Sequence, residues 1–191
     1  MNSRDYIKGY FTNLAGLFDR LDIEAISKFI EALEDTRKRG RTVFLAGNGG
    51  SAATCSHFAN DLIKGVRSSA SGAFKAISLA DNVALMTALA NDDGYDTIFT
   101  GQMRNLFEKG DLLIAISASG NSPNVVAAAK LAQDLGGQVA ALVGFDGGIL
   151  KTFADIVVHV PTKKGEYGPV EDIHMILDHI VTSFLAIRDS K

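Results

Sequence analysis

Apolar residues recur at helical spacing through the first 40 positions, at Tyr6, Tyr10, Leu14 and Leu17 and again at Ile23, Ile26, Phe29, Ile30 and Leu33. That period predicts two amphipathic helices. Short β-rich runs follow at residues 42–46, 74–79, 112–116, 139–143 and 156–160, most of them apolar at nearly every position. Strands buried on both faces of a sheet have this composition. Helical patterns of ten or more residues separate the runs, so right-handed crossovers between parallel strands are expected. A last helix is expected from about residue 169 to 188, with Pro169 at its first position, where a missing N–H costs little. Ile173, Ile176, Leu177, Ile180, Phe184 and Leu185 would form its apolar face. The fold class is therefore α/β: a three-layer αβα sandwich on a five-stranded parallel sheet, flavodoxin-like, preceded by a helical pair. With 191 residues one domain is expected, residues 1–40 supplying the helical pair and 41–191 the core and last helix.

In open parallel sheets ligands collect beyond the carboxyl ends of the strands. Two loops stand at such ends. Gly47-Asn48-Gly49-Gly50-Ser51 follows the first strand, its glycines permitting close backbone approach and its serine able to cap the next helix while facing a ligand. Ser117-Ala118-Ser119-Gly120-Asn121-Ser122 follows the third, just before Pro123 opens a helix. Helix N-terminal N–H groups and serine hydroxyls together can hold phosphate without an arginine. Either loop alone also reads as an ordinary turn and cap. Neither fits G-x-G-x-x-G or a P-loop, which argues against a nucleotide cofactor and for a small phosphorylated ligand.

Charge narrows the partners. The formal net charge is -3, and the longest basic stretch, Arg37-Lys38-Arg39-Gly40-Arg41, falls at a predicted helix end where cations complement the dipole. It reads as a solvated helix terminus, and nucleic-acid binding is not expected. No apolar run approaches the roughly 20 residues of a membrane span. Cys55 is the only cysteine, and Met1-Asn2-Ser3-Arg4-Asp5 shows no apolar signal region, so a reducing cytoplasm is the expected setting.

The two loops resemble those of the sugar isomerase (SIS) domain family, over nearly the whole chain. Within it, the N-terminal helices, His57 with a carboxylate four residues on, Asn91-Asp92 and a histidine-bearing last helix are similar to its phosphoheptose isomerase branch. The resemblance implies an aldose–ketose isomerase that converts sedoheptulose 7-phosphate to a heptose 7-phosphate, as a homotetramer with intersubunit active sites. It implies phosphate contacts from Ser51, Ser117, Ser119 and Ser122, sugar contacts that include Asn48, Gly49, Gly50, Asn91, Asp92, Ala118 and Glu171, and zinc held by His57, Asp61, Glu171 and His179. Asp61 would be the proton-shuttling base and His179 the acid or base at the sugar oxygens. A noncatalytic relative, acting through protein contacts like replication-initiator-associating proteins or as a sugar-phosphate sensor, is the alternative. Such relatives lack the full acid–base set, whereas His57, Asp61 and His179 are all present here.

Spacing is compatible with the metal reading. His57 and Asp61 stand four apart, and Glu171 and His179 eight apart, close to two helical turns. His174 and Asp178 form another i,i+4 pair, either a structural pair or a rival set of ligands. His159, ending a strand, reads as structural or solvent-facing. The chain departs from the branch pattern at Asp61, where Glu is usual, at Glu171 for Gln, at Ala118 for Thr and at Gly168 for Asp. The shorter Asp61 side chain withdraws its carboxylate by more than about 1 Å unless the backbone compensates.

Overall fold

The computed structural model describes residues 2–66 and 72–189. Two helices, α1 (Ser3–Phe18) and α2 (Ile23–Lys38), precede strands β1 (Thr42–Gly47), β2 (Lys75–Ser78), β3 (Leu112–Ser117), β4 (Gln138–Val143) and β5 (Ile156–His159). Helices α3 (Gly50–Asn60), α4 (Val83–Asp92), α5 (Thr100–Leu106), α6 (Pro123–Asp134) and α7 (Leu150–Phe153) lie between the strands, and α8 (Tyr167–Asp189) ends the fold. Side-chain caps fix several starts: Asn2 accepts from the Asp5 N–H, Asp22 from Ala25 and Asn82 from Leu85.

All strand pairs are parallel, in the order β2-β1-β3-β4-β5. Strand alternation sends Leu45, Ile114, Ile116 and Leu142 into a core shared with α2, α3 and α8. Phe44, Ala46, Leu113, Ala115 and Val143 enter a second core under α5 and α6. The three-layer sandwich expected from the apolar runs is thus present. Because the chain leaves β1 toward one edge and later builds β3, β4 and β5 toward the other, a crevice opens between the carboxyl ends of β1 and β3.

Several expectations need correction. The β4–β5 link holds only the four-residue α7, because Gly147 and Gly148, both at positive φ, interrupt a longer helix. Helix α8 begins two residues early, so Pro169 sits third rather than first, still in the turn whose N–H groups have no i−4 acceptor. Arg37 is no solvated terminus: it is buried, donates to the Gly72 carbonyl at 2.8 Å, pairs with Asp189 at 2.5 Å and stacks over Phe74. Arg39 and Arg41 do remain outside. The apolar face of α8 splits, with Ile173, Leu177 and Leu185 buried and Ile180 and Phe184 exposed. Helix α1 buries only Leu17.

Phe29 of α2 meets Phe58 of α3 edge-to-face, centroids 6.1 Å apart, and both are fully buried. Phe29→Ala should therefore cost about 3–5 kcal/mol, measurable as a lowered urea midpoint. A loss under about 1 kcal/mol would mean that α2 is not clamped to α3 through this pair.

Candidate active site

The crevice between β1 and β3 contains a cleft of about 170 Å³ lined by Asn48, Ser51, Ser117, Ala118, Ser119 and Ser122, with Ile116, Tyr167 and Glu171 completing its wall. Ser122 occupies the N-cap of α6, yet its hydroxyl makes no capping bond and instead lies 3.1 Å from the Ser117 hydroxyl. Both hydroxyls are thus turned toward the cleft side of the loop rather than used up by the helix. Gly120 permits the turn: its φ is +64°, and an added Cβ would fall on the Gly147 carbonyl. The Gly-rich segment after β4 braces this loop from behind, Gly144 N–H donating to the Ala118 carbonyl, Leu150 N–H to Gly120 and Ile149 N–H to the Asn121 side chain, each at 3.0 Å.

Asn48 is held by a reciprocal amide pair with buried Asn124, at 2.8 and 2.9 Å, and accepts a further bond from the Tyr95 hydroxyl. On the other wall Glu171 presses its carboxylate against the Gly50 backbone, where any Cβ would collide with it. One face of α3 and one of α8 are therefore in contact from their first turns onward.

Farther along the same two helices, four metal-competent groups converge. His57 Nε2 lies 3.1 Å from His179 Nε2, 3.4 Å from Asp61 Oδ2 and 4.0 Å from Asp178 Oδ2. One ligand atom from each of these residues falls within 4.8 Å of every other. Contacts of Gly50 with Glu171 and of His57 with His179 show α3 and α8 running side by side in the same direction. At Asp61 the α-helix opens into a single π-turn, Asp61–Gly65, a widening often found at functional positions. The shorter aspartate has not left the reach of His57. Asp178 is fully buried, and burial pushes its carboxyl up to about 7, with the Asp61 charge adding to the rise. Two imidazoles and two carboxylates form a suitable donor set for a divalent cation such as zinc.

A model of the SIS domain matches residues 9–144. The chain belongs to that family. Among curated SIS relatives, the phosphoheptose isomerase of Aliarcobacter butzleri is 37% identical over 173 residues, covering 85% of this chain and 90% of the relative. Solved SIS structures agree: phosphoheptose isomerase GmhA from Neisseria gonorrhoeae superposes with a TM-score of 0.88 at 27% identity, covering 96% of this chain and 98% of the other. A phosphoheptose isomerase from Francisella tularensis gives 0.88 at 29% identity over the whole of both chains.

Against the SIS-domain expectations, the structure brings together His57, Asp61 and His179, and separately Asn48, Ser51, Ser117, Ala118, Ser119, Ser122 and Glu171. Gly49 and Gly50 lie exposed at the mouth, at the start of α3. Asn91 and Asp92, bonded to each other at the exposed end of α4, do not line the cleft. The His174–Asp178 pair is not formed: neither side chain has a hydrogen-bond partner among the described residues, and burial lowers His174 to about 4 despite the pull of the Val143 carbonyl. His159 is structural, its ring bonded to the Phe145 carbonyl and the Lys151 amine. Sequence reasoning missed Tyr95, Asn124 and Tyr167. Asn124 had a readable signal, a polar side chain directly after the Pro that opens α6. Cys55 is buried on the inner face of α3, and that burial pushes its thiol far up, away from the reactive thiolate.

Because the Ser122 hydroxyl is not spent on its helix, Ser122→Ala should leave the fold intact and weaken sugar-phosphate binding about 10-fold, the loss of one charge-assisted bond. Calorimetric titration would read it. Unchanged affinity would place the anion elsewhere.

Proposed function

We propose that the chain is an aldose–ketose isomerase interconverting sedoheptulose 7-phosphate and a heptose 7-phosphate through an enediol. The observation that carries this reading is the convergence of His57, Asp61 and His179 on the same two helices whose earlier residues Ser51, Tyr167 and Glu171 line the hydroxyl-rich cleft. Phosphoheptose isomerases among its relatives point the same way. A purely scaffolding role gives no reason for an acid–base set to assemble on the two helices that wall a hydroxyl-lined cleft.

The phosphate would rest against Ser51, Ser117, Ser119 and Ser122 and the first N–H groups of α6, where the helix dipole favours an anion. From Ser51 to His57 the helix rises about 9 Å, a span that an extended seven-carbon sugar phosphate can bridge between its phosphate and its carbonyl end. Asp61, partly open to solvent, then takes the proton from the carbon beside the carbonyl. The C–H electrons form the enediol double bond while the carbonyl oxygen gains a proton. Returning that proton to the former carbonyl carbon, with loss of the hydroxyl proton on the carbon first deprotonated, completes the isomerisation. His179 is placed to exchange the oxygen-bound protons. Zinc held by a set that includes His57 and His179 would polarise the sugar oxygens. Glu171, at the cleft wall, faces the sugar.

We read residues 1–191 as one SIS unit working in the cytoplasm as a homotetramer. Among the described residues no helix is long and apolar enough to cross a membrane. Tyr6, Ile7 and Phe11 of α1 and Ile180, Phe184 and Ile187 of α8 are exposed, and apolar α4 buries nothing. Covering such faces with sister subunits would remove this apolar surface from water. It would also let Asn91 and Asp92 meet a sugar across a subunit boundary.

In deuterated buffer the protein should incorporate deuterium beside the carbonyl of sedoheptulose 7-phosphate. Asp61→Asn should lower that exchange by about 10²–10⁴-fold with binding little changed; an active variant would remove Asp61 as the base. Sedimentation velocity should find a tetramer, and a monomer at micromolar concentration would count against sites shared between subunits.

A further inference from the structure

More carboxylates surround the histidine pair than one cation needs, and the structure separates them. Glu171 stands at the first turns of α8, its carboxylate against the Gly50 backbone and on the wall of the cleft. It is not among the groups whose ligand atoms converge, whereas Asp178 is. Asp178 and His179 are consecutive, so their side chains leave α8 about 100° apart. His179 approaches the site from the exposed side and Asp178 from the buried side, toward α3 and the π-turn.

Asp178 has no other evident employment. Its side chain is 0% exposed, and neither carboxylate oxygen has a hydrogen-bond partner among the described residues. His57 Nε2 is 4.0 Å away, too far for a hydrogen bond. The nearby Asp61 repels it. A buried carboxylate without a partner is costly and is ordinarily found paired or on a metal. A divalent cation between His57, His179, Asp61 and Asp178 would satisfy the orphaned oxygens and cancel both negative charges. Adding Glu171 as well would leave the centre net negative.

We propose that Asp178 is a metal ligand in this chain and holds the carboxylate position for which Glu171 is the other candidate, leaving Glu171 to the sugar. The inference rests on the metal-assisted isomerase reading and deepens it. With a second carboxylate on the ion, Asp61 need not serve as its sole anionic ligand, and one of its oxygens stays available for the proton transfer.

The test is zinc affinity of the full chain by competition with a chromophoric chelator, for wild type, Asp178→Asn and Glu171→Gln, with visible spectra of the cobalt-loaded forms. Asp178→Asn should lose more than about 100-fold in affinity, beyond the 10–100-fold expected for a mere outer partner, and its cobalt spectrum should change. Its metal-free form should melt no lower than wild type, since a neutral amide replaces an unpaired charge. Glu171→Gln should keep zinc affinity within a few-fold and an unaltered cobalt spectrum, which decides the matter even if Asp178→Asn folds poorly. Wild-type affinity in Asp178→Asn, a collapse in Glu171→Gln, or a wild-type chain that takes up neither metal would overturn the proposal. Deuterium exchange by the wild type judges the isomerase reading separately: exchange with an Asp178-independent metal sinks only this inference, and Asp178-dependent zinc without exchange sinks only the activity.

Discussion

The arrangement depends on the lengthwise contact between α3 and α8. One helix leaves the glycine loop after β1 and the other closes the fold, and they meet first where Glu171 lies on Gly50 and again where His179 meets His57. A Cβ at position 50 would coincide with the Glu171 carboxylate, so a larger residue there would push that flexible side chain aside. The two contacts together mark the register of α8 on α3. The register in turn decides which residues of α8 face the cleft and which face the histidine and carboxylate cluster. Phe29 against Phe58 holds α3 down from the side of α2, so the contact is supported by the larger of the two cores.

In the proposed reading, binding and chemistry are divided along one helix pair. The anion end is built from loops, stiffened by the glycine segment after β4 and by the Asn48–Asn124–Tyr95 network. The reactive end is built from helix faces, whose side-chain positions are less mobile than those of loops. A ligand long enough to reach from one end to the other would be selected by that separation, set by helical rise rather than by any single contact.

Much of this was legible in the sequence. The strands announced themselves as apolar runs because both faces of each are buried, and the two loops were found because function in such sheets gathers at the strands' carboxyl ends. The short link before β5 was misread, since apolar residues at helical spacing outweighed the glycines that break it. Arg37 was misread because a basic run looks the same whether its first member points outward or inward against Asp189. Asp178 was visible only as one of two competing i,i+4 pairs. Periodicity places such residues on a helix face but does not say what that face meets, and only the α3–α8 register separates Asp178 from Glu171. The two leading helices, alike in their periodicity, part ways: α2 joins α3 and α8 in covering one face of the sheet, whereas α1 buries only Leu17.

The central claim is that one sugar phosphate spans the loop cradle and the cluster between α3 and α8. A crystal structure of the zinc-loaded Asp61→Asn chain with sedoheptulose 7-phosphate tests it most directly. The account predicts phosphate oxygens within hydrogen-bond distance of Ser119 and Ser122 and the carbonyl end of the sugar beside residue 61. Phosphate bound at another surface, or a sugar lying in the cleft with its carbonyl end turned away from α3 and α8, would contradict it.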